Sequence, residues 1–222
     1  MTRAEQAAYH LSVQTKEIEE MSGRTEPFEY GVAGIVLTVL PKVYPGGIDS
    51  ELTIEAIGDT SGKTVLDLCT GTGVVAVKAA QMGASKVVAV DLNPEAVKNA
   101  KLNAKKFGLT QIDVREGSLF EPITDETFDI IAINPPYTCK KPANKTEICF
   151  WDEENNTTRQ FFKEYNHFLN PGGQAYLAWA DFSSIEFLKS EALSNRIILE
   201  LVQSRTTPSG LATFLVYRLV EL

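Results

Sequence analysis

Apolar positions along the chain alternate between two rhythms. Short unbroken apolar runs occur at Val65–Leu66, Val87–Val90 and Ile130–Ile133, and the stretches between them carry the spacing of helices. Runs of that kind predict strands buried on both faces, hence a mostly parallel sheet with helices packed on each side. The pattern places strands over 63–68, 86–91, 111–115, 128–133, 174–180, 196–204 and 211–220, and helices over 73–82, 157–169 and 183–193. A further helix opens at Asn93-Pro94-Glu95, with a capping side chain, a proline at the first helical position and an acid in the first turn. Its inward positions read as Ala96, Val97, Ala100, Leu102, Ala104 and Phe107, and Gly108 suits a left-handed stop. The last two strands are joined only by the turn Thr206–Gly210, so they must form an antiparallel hairpin.

Ahead of this core, residues 3–21 read as an amphipathic helix stopped by Ser22-Gly23. Such a helix either pads a sheet edge or forms a lid that brings Tyr9 and His10 to a substrate. Val32–Leu40 reads as a strand cut off by Pro41, and a turn-rich loop, Val43–Ser50, leads into a helix over 51–57. Within that loop Asp49 or Ser50 can serve as an N-cap. The division expected is an extension over 1–43 and one α/β unit over 44–222.

The chemistry concentrates at two strand ends. Val65-Leu66-Asp67-Leu68-Cys69-Thr70-Gly71-Thr72-Gly73 is a strand followed by a glycine corner that opens a helix, where backbone N–H groups can approach a ligand closely. Asp91 closes the next strand, the position from which an acid typically holds the two hydroxyls of a ribose. A nucleoside site is implied. Gly71-Thr72-Gly73-Val74-Val75-Ala76 also meets a relaxed dinucleotide pattern. Asp67, four residues before Gly71, would however repel a pyrophosphate while suiting an ammonium held through water. The second strand end carries Asn134-Pro135-Pro136-Tyr137.

With both motifs in place, the chain from about Tyr44 onward resembles the class I S-adenosylmethionine (SAM) methyltransferases. The branch is the one whose NPPY motif methylates glutamine amides and the exocyclic amine of adenine. The resemblance implies a Rossmann-like, seven-stranded, mostly parallel α/β sheet with a final antiparallel hairpin, here with an N-terminal helical extension. It implies SAM as the cofactor, held by Asp67, Cys69, Thr70, Gly71, Gly73, Asp91, Leu92, Ser118, Leu119 and Asn134. Ser118 stands where the family often places an acid on the adenine amine. The loop at Tyr44 would line the methionine end. Catalysis falls to Asn134, Pro135 and Tyr137: the Asn134 and Pro135 carbonyls accept the two N–H bonds of an –NH2 group, turning its lone pair to the methyl. Proline restricts the backbone so that these acceptors are preorganised, Tyr137 offers a face to a planar group, and no general base is needed.

The acceptor is a protein glutamine or a small molecule bearing a planar amide or amine, with Tyr9, Tyr44, Trp151 and Tyr176 as further residues that could touch it. Bacterial release-factor enzymes carry a longer helical domain than the 43 residues that precede Tyr44 here, which keeps small acceptors open. Phe150 and Trp151, in the segment Thr138–Asn156, are expected to border the pocket, and Lys140, Lys141 and Lys145 to form a solvated face. An alternative on the same fold is a SAM-consuming cyclase. There the α-amine of SAM attacks its own γ-carbon to give azetidine-2-carboxylate and methylthioadenosine, with Tyr137, Tyr176 or Trp179 against the sulfonium. A third reading is a non-catalytic SAM-binding protein, disfavoured because both motifs keep their chemical groups.

Composition narrows the partners. A formal net charge of −8 argues against a nucleic-acid substrate. Three cysteines without CxxC spacing support neither a disulfide framework nor a metal site, and suit a cytoplasmic setting. The longest apolar stretch, Gly31–Leu40, is half a membrane span. His10 and His167 lack a nucleophile partner, and His167 reads as structural. Oligomeric state is left open.

Overall fold

The computed structural model describes residues 3–222; residues 1–2 of the expected extension lie outside the described residues. The chain opens with helix α1 (Arg3–Gly23), then strands β1 (Phe28–Val32) and β2 (Ile35–Val39), and helix α2 (Ile48–Ile57). The core follows as β3 (Thr64–Leu68), α3 (Val74–Gln81), β4 (Lys86–Asp91), α4 (Pro94–Lys106), β5 (Ile112–Glu116) and β6 (Phe128–Ile133). After a long connection come α5 (Asn156–Glu164), β7 (Leu169–Ala180), α6 (Ile185–Ser194), β8 (Ile197–Thr206) and β9 (Thr213–Glu221).

Seven strands form one sheet in the order β5-β4-β3-β6-β7-β9-β8, parallel except for β9, which is antiparallel to both neighbours. The expected sheet and terminal hairpin are therefore present. Side-chain alternation explains the unbroken apolar runs. Leu66, Leu68, Val88, Val90, Ile131 and Ile133 face a layer that includes Phe161 of α5 and Leu188 of α6. Val65, Val87, Ala89, Ile130 and Ala132 face Leu52, Val75, Ala79 and Val97 of α2, α3 and α4. The strand order reverses between β3 and β6, where Leu68 pairs with Ile133. The loops that leave these two strands part to opposite sides, and ligands of open α/β sheets bind in that crevice.

Several expectations need correction. Val32–Leu40 is not one strand but the second half of a separate β1–β2 hairpin, turned at Ala33 and Gly34, both with positive φ. The hairpin is pinned to α4 by amides. Asn99 Oδ1 accepts from Leu40 N at 2.7 Å, Asn103 Oδ1 accepts from Thr38 N at 3.0 Å, and Asn103 Nδ2 donates to Thr72 O at 2.9 Å. Asn99 and Asn103 thus occupy buried positions on α4, while Leu102, expected inward, is exposed. The Asn93 cap is as expected, accepting from Glu95 N, and Gly108 has φ +67°. Helix α5 ends at Glu164, and Tyr165–Phe168 tightens into a 3-10 turn, so β7 starts at Leu169 and carries an irregularity across Pro171-Gly172-Gly173. His167 is exposed on that turn.

Candidate functional site

One cavity of about 370 Å³ opens at the crevice between β3 and β6. Its floor is the loop after β3. Asp67, 3 % exposed, accepts from Thr70 Oγ1 at 2.5 Å and from Ala76 N at 3.1 Å, which ties the end of β3 to the first turn of α3. Burial pushes its carboxyl up to about 7 despite these two bonds, with the neighbouring Asp91 adding to the rise. At the end of β4, Asp91 accepts from Gly71 N at 2.8 Å through one oxygen and from Asn93 N at 2.9 Å through the other. Burial raises its carboxyl as well. Cys69 (φ 59°) and Leu119 (φ 46°) hold left-handed backbone that favours glycine, and both line this cavity.

The opposite wall is built on Asn134-Pro135-Pro136-Tyr137. Asn134 Nδ2 donates to Asp49 Oδ2 at 2.9 Å, and the Tyr137 hydroxyl donates to the same oxygen at 2.6 Å. A carboxylate only accepts, so Asp49 fixes the amide with its NH2 inward and its Oδ1 turned away. The Tyr137 hydroxyl also lies 3.1 Å from Asn134 Oδ1, but it has one proton and the shorter, charge-assisted bond takes it. Burial and the nearby Asp49 push the phenol well above its ordinary range, so it remains a donor. Asn134 Oδ1 consequently keeps acceptor capacity for a ligand N–H.

Asp49 was not foreseen in this role. It lies in the first turn of α2, whose cap is Gly47, so neither Asp49 nor Ser50 serves as the N-cap. It is 3 % exposed and lines the cavity. A sequence signal existed, an acid within a turn-rich loop ahead of a helix, but only the sheet order brings that loop opposite β6.

Helix α1 and the segment 138–156 roof the cavity. Ile18 and Met21 pack with Phe150 and Trp151, and Tyr44 and Cys149 border that cluster. His10 bonds the Leu211 carbonyl through Nε2 at 2.8 Å and stacks on Phe182 at 4.1 Å. Lys140 lies over the Trp151 ring at 3.3 Å, and Lys141 pairs with Glu153 at 3.1 Å. Two of the three lysines expected on a solvated face thus have partners.

Asp67, Cys69, Thr70, Gly71, Asp91, Leu92, Ser118, Leu119, Asn134, Pro135 and Tyr137 all line this one cavity, as do Tyr44 and Trp151. Gly73, Tyr9 and Tyr176 do not. Gly73 has φ +82° and lies where a Cβ would stand 3.0 Å from Ala100 Cβ, so its demand for glycine comes from packing α3 on α4. Tyr9 is exposed on the outer side of α1, and Tyr176 is buried in the core with its hydroxyl on Gln174. Trp179, weighed for a sulfonium contact, is fully buried in the core and outside the lining.

Among the described residues no ion pair reaches Asp49, Asp67 or Asp91, and no lysine or arginine lines the cavity. Buried carboxylates without a counter-charge suit a cationic ligand. No helix among the described residues is long and apolar enough to cross a membrane.

Known proteins with similar sequences match about half of the chain. A Methanocaldococcus jannaschii protein named for protein N5-glutamine methylation is 43 % identical over 106 residues, 48 % of this chain and 53 % of its own length. The release factor glutamine methyltransferase of Aliivibrio fischeri is 39 % identical over 122 residues, 50 % of this chain and 43 % of its own length. The chain thus spans about half the length of these relatives. Among solved structures, the ribosomal protein L11 methylase of Lactobacillus delbrueckii matches with a TM-score of 0.61 at 20 % identity, covering 82 % of this chain and 83 % of that one. The T. thermophilus 16S rRNA N2 G1207 methyltransferase, solved with AdoMet and guanosine, matches with a TM-score of 0.64 at 22 % identity, covering 86 % and 50 %. At such identities the likeness concerns the fold. The methyltransferase small domain model matches residues 46–204, and the chain belongs to that family.

Proposed function

We propose that this chain is a SAM-dependent N-methyltransferase acting on a planar amide, with the side-chain amide of a protein glutamine as its acceptor. The observation that carries this reading is the locking of Asn134 by Asp49, which leaves a fixed acceptor oxygen free at the strand end. That oxygen and the Pro135 carbonyl take the two N–H bonds of the acceptor –NH2 group and stabilise the positive charge that grows on its nitrogen. The names of the two relatives favour glutamine over other amides.

When bound, SAM supplies a methyl group on a sulfonium. Asp67 suits its ammonium group and Asp91 its ribose hydroxyls; Asp67 is buried and Asp91 half-buried, and neither has a cationic side-chain partner. Ser118 and Leu119 line the side of the cavity reached from β5, where an adenine would lie. Residues 44–222 form the catalytic unit, and α1, within residues 1–43, acts as its lid. Three free cysteines fit a reducing, cytoplasmic setting.

The test is to incubate the purified chain with SAM and peptides that carry glutamine or asparagine, then locate new methyl groups by tandem mass spectrometry. Methyl on the glutamine amide nitrogen, absent with Asn134→Ala, is the expected result. Methylation of neither peptide, with SAM converted to methylthioadenosine, would overturn the reading in favour of ring closure.

A further inference from the structure

Among the described side chains of helix α1, the buried positions form one stripe, His10, Gln14, Ile18 and Met21. The spacing of four, four and three is that of a helix laid on a surface. The lower half of the stripe is ordinary packing, since Ile18 and Met21 seat among Phe150 and Trp151. The middle is not. At the point where the helix passes over the cavity the buried residue is an amide, Gln14, 5 % exposed and part of the same lining as Asn134, Pro135 and Tyr137. Its Oε1 accepts from the hydroxyl of Thr138 at 2.9 Å, the residue that follows Tyr137. Its Nε2 has no hydrogen-bond partner among the described residues. A glutamine with its carbonyl anchored beside the NPPY turn and its –NH2 unengaged presents the group that Asn134 Oδ1 and the Pro135 carbonyl are arranged to receive.

We infer that Gln14 is the chain's own acceptor: its amide enters the acceptor position and is methylated in cis. This rests on the amide-methyltransferase reading above. In the step, Gln14 Nε2 forms a bond to the methyl carbon of SAM, and the carbon–sulfur bond breaks with its electron pair staying on sulfur. One Nε2 proton leaves past Asn134 and Pro135 to water. The products are N5-methylglutamine at position 14 and S-adenosylhomocysteine. A protein substrate must displace the same side chain, so α1 also sets the threshold that an external glutamine has to pass.

The experiment incubates the full chain with methyl-deuterated SAM and follows intact mass and fragmentation. One label per chain on Gln14 is expected, at a rate independent of protein concentration, with no label in Gln14→Glu. An Asn134→Ala chain mixed with the active protein should stay unlabelled, which separates cis from trans. A second readout needs no SAM: titration calorimetry with a short glutamine-bearing peptide should give at least tenfold tighter binding to Gln14→Ala than to the unsubstituted chain. External glutamine methylated while Gln14 stays unlabelled overturns the inference and leaves the function standing. Equal peptide affinity for the two chains also overturns it. Methylthioadenosine without any methylated amide overturns the function itself.

Discussion

Replacing Asp67 by asparagine should stabilise the ligand-free protein at alkaline pH while weakening its hold on an ammonium-bearing ligand. The side chain is 3 % exposed and its carboxyl is held at about 7 instead of the usual 3.8, burial being the main cause. At ~1.4 kcal/mol per pH unit, that difference corresponds to ~4 kcal/mol. The folded-state value lies above the unfolded one, so the neutral carboxyl favours folding. This contribution is complete below pH ~4 and is lost once pH has risen through about 7. Asparagine keeps an oxygen for Thr70 Oγ1 and Ala76 N and does not titrate, so it escapes the loss. Urea unfolding of both proteins at pH 5 and pH 8.5 measures the effect. The stability of the variant relative to wild type should rise by ~2.5 kcal/mol between these two values, most of the titration lying inside that window. The affinity of wild type for S-adenosylhomocysteine should increase from pH 6 to pH 8 as the carboxylate forms, and that of the variant should be weak and flat. Parallel stability curves for the two proteins across this range would refute the assignment of a buried, ligand-compensated carboxylate.

Three other outcomes follow from the same geometry. Asp49→Asn leaves one acceptor oxygen where Asp49 uses two, one for Asn134 Nδ2 and the Tyr137 hydroxyl and one for Ser50 N, so its NH2 must face a donor on one side, which loosens the hold on the Asn134 amide. The turnover rate with a glutamine peptide should fall about 100-fold, by analogy with loss of one preorganised transition-state partner, with affinity for S-adenosylhomocysteine nearly unchanged. Gly73→Ala forces φ +82° on a side chain and sets a Cβ 3.0 Å from Ala100 Cβ. A loss of about 1–3 kcal/mol in denaturant unfolding is expected, while ligand affinity, measured well below the unfolding range, is retained. Asn103→Leu removes the bonds to Thr38 and Thr72, leaving Thr38 N and Thr72 O without their side-chain partner while Thr38 O keeps its bond from Asn99 Nδ2. It should cost about 2–4 kcal/mol, with hydrogen exchange accelerated first in the β1–β2 hairpin.

The sheet was readable from sequence because its signal is local. The central strands β3, β4 and β6 are apolar runs buried on both faces, and the Asn93-Pro94 start, the Gly108 stop and the turn before β9 mark the boundaries. The two motif ends, Asp67–Gly71 and Asn134–Tyr137, were readable for the same reason. What escaped depends on contacts between distant parts of the chain. The β1–β2 hairpin turns on Ala33-Gly34 and is held by Asn99 and Asn103, polar residues at positions that a hydrophobic pattern assigns to the outside. Asp49 is 85 positions from Asn134, and only the reversal of strand order at β3 and β6 brings their loops together. Tyr9 and His10 are adjacent, and the choice between them turns on helix phase: the phase of α1 sends His10 inward and leaves Tyr9 on the outer side. Gly73 looked like a ligand glycine because the corner motif contains it, whereas the constraint comes from Ala100.

In the proposed reaction Asn134, locked by Asp49, steers methyl transfer to an amide nitrogen. The most direct measurement is a mass balance of SAM consumed by the purified chain, resolving S-adenosylhomocysteine from methylthioadenosine and locating every new methyl group. S-adenosylhomocysteine should form in equal amount to methylated amide nitrogen, both lost together in Asn134→Ala. Methylthioadenosine in equal amount to a cyclic amino acid, with no methylated amide, would contradict it.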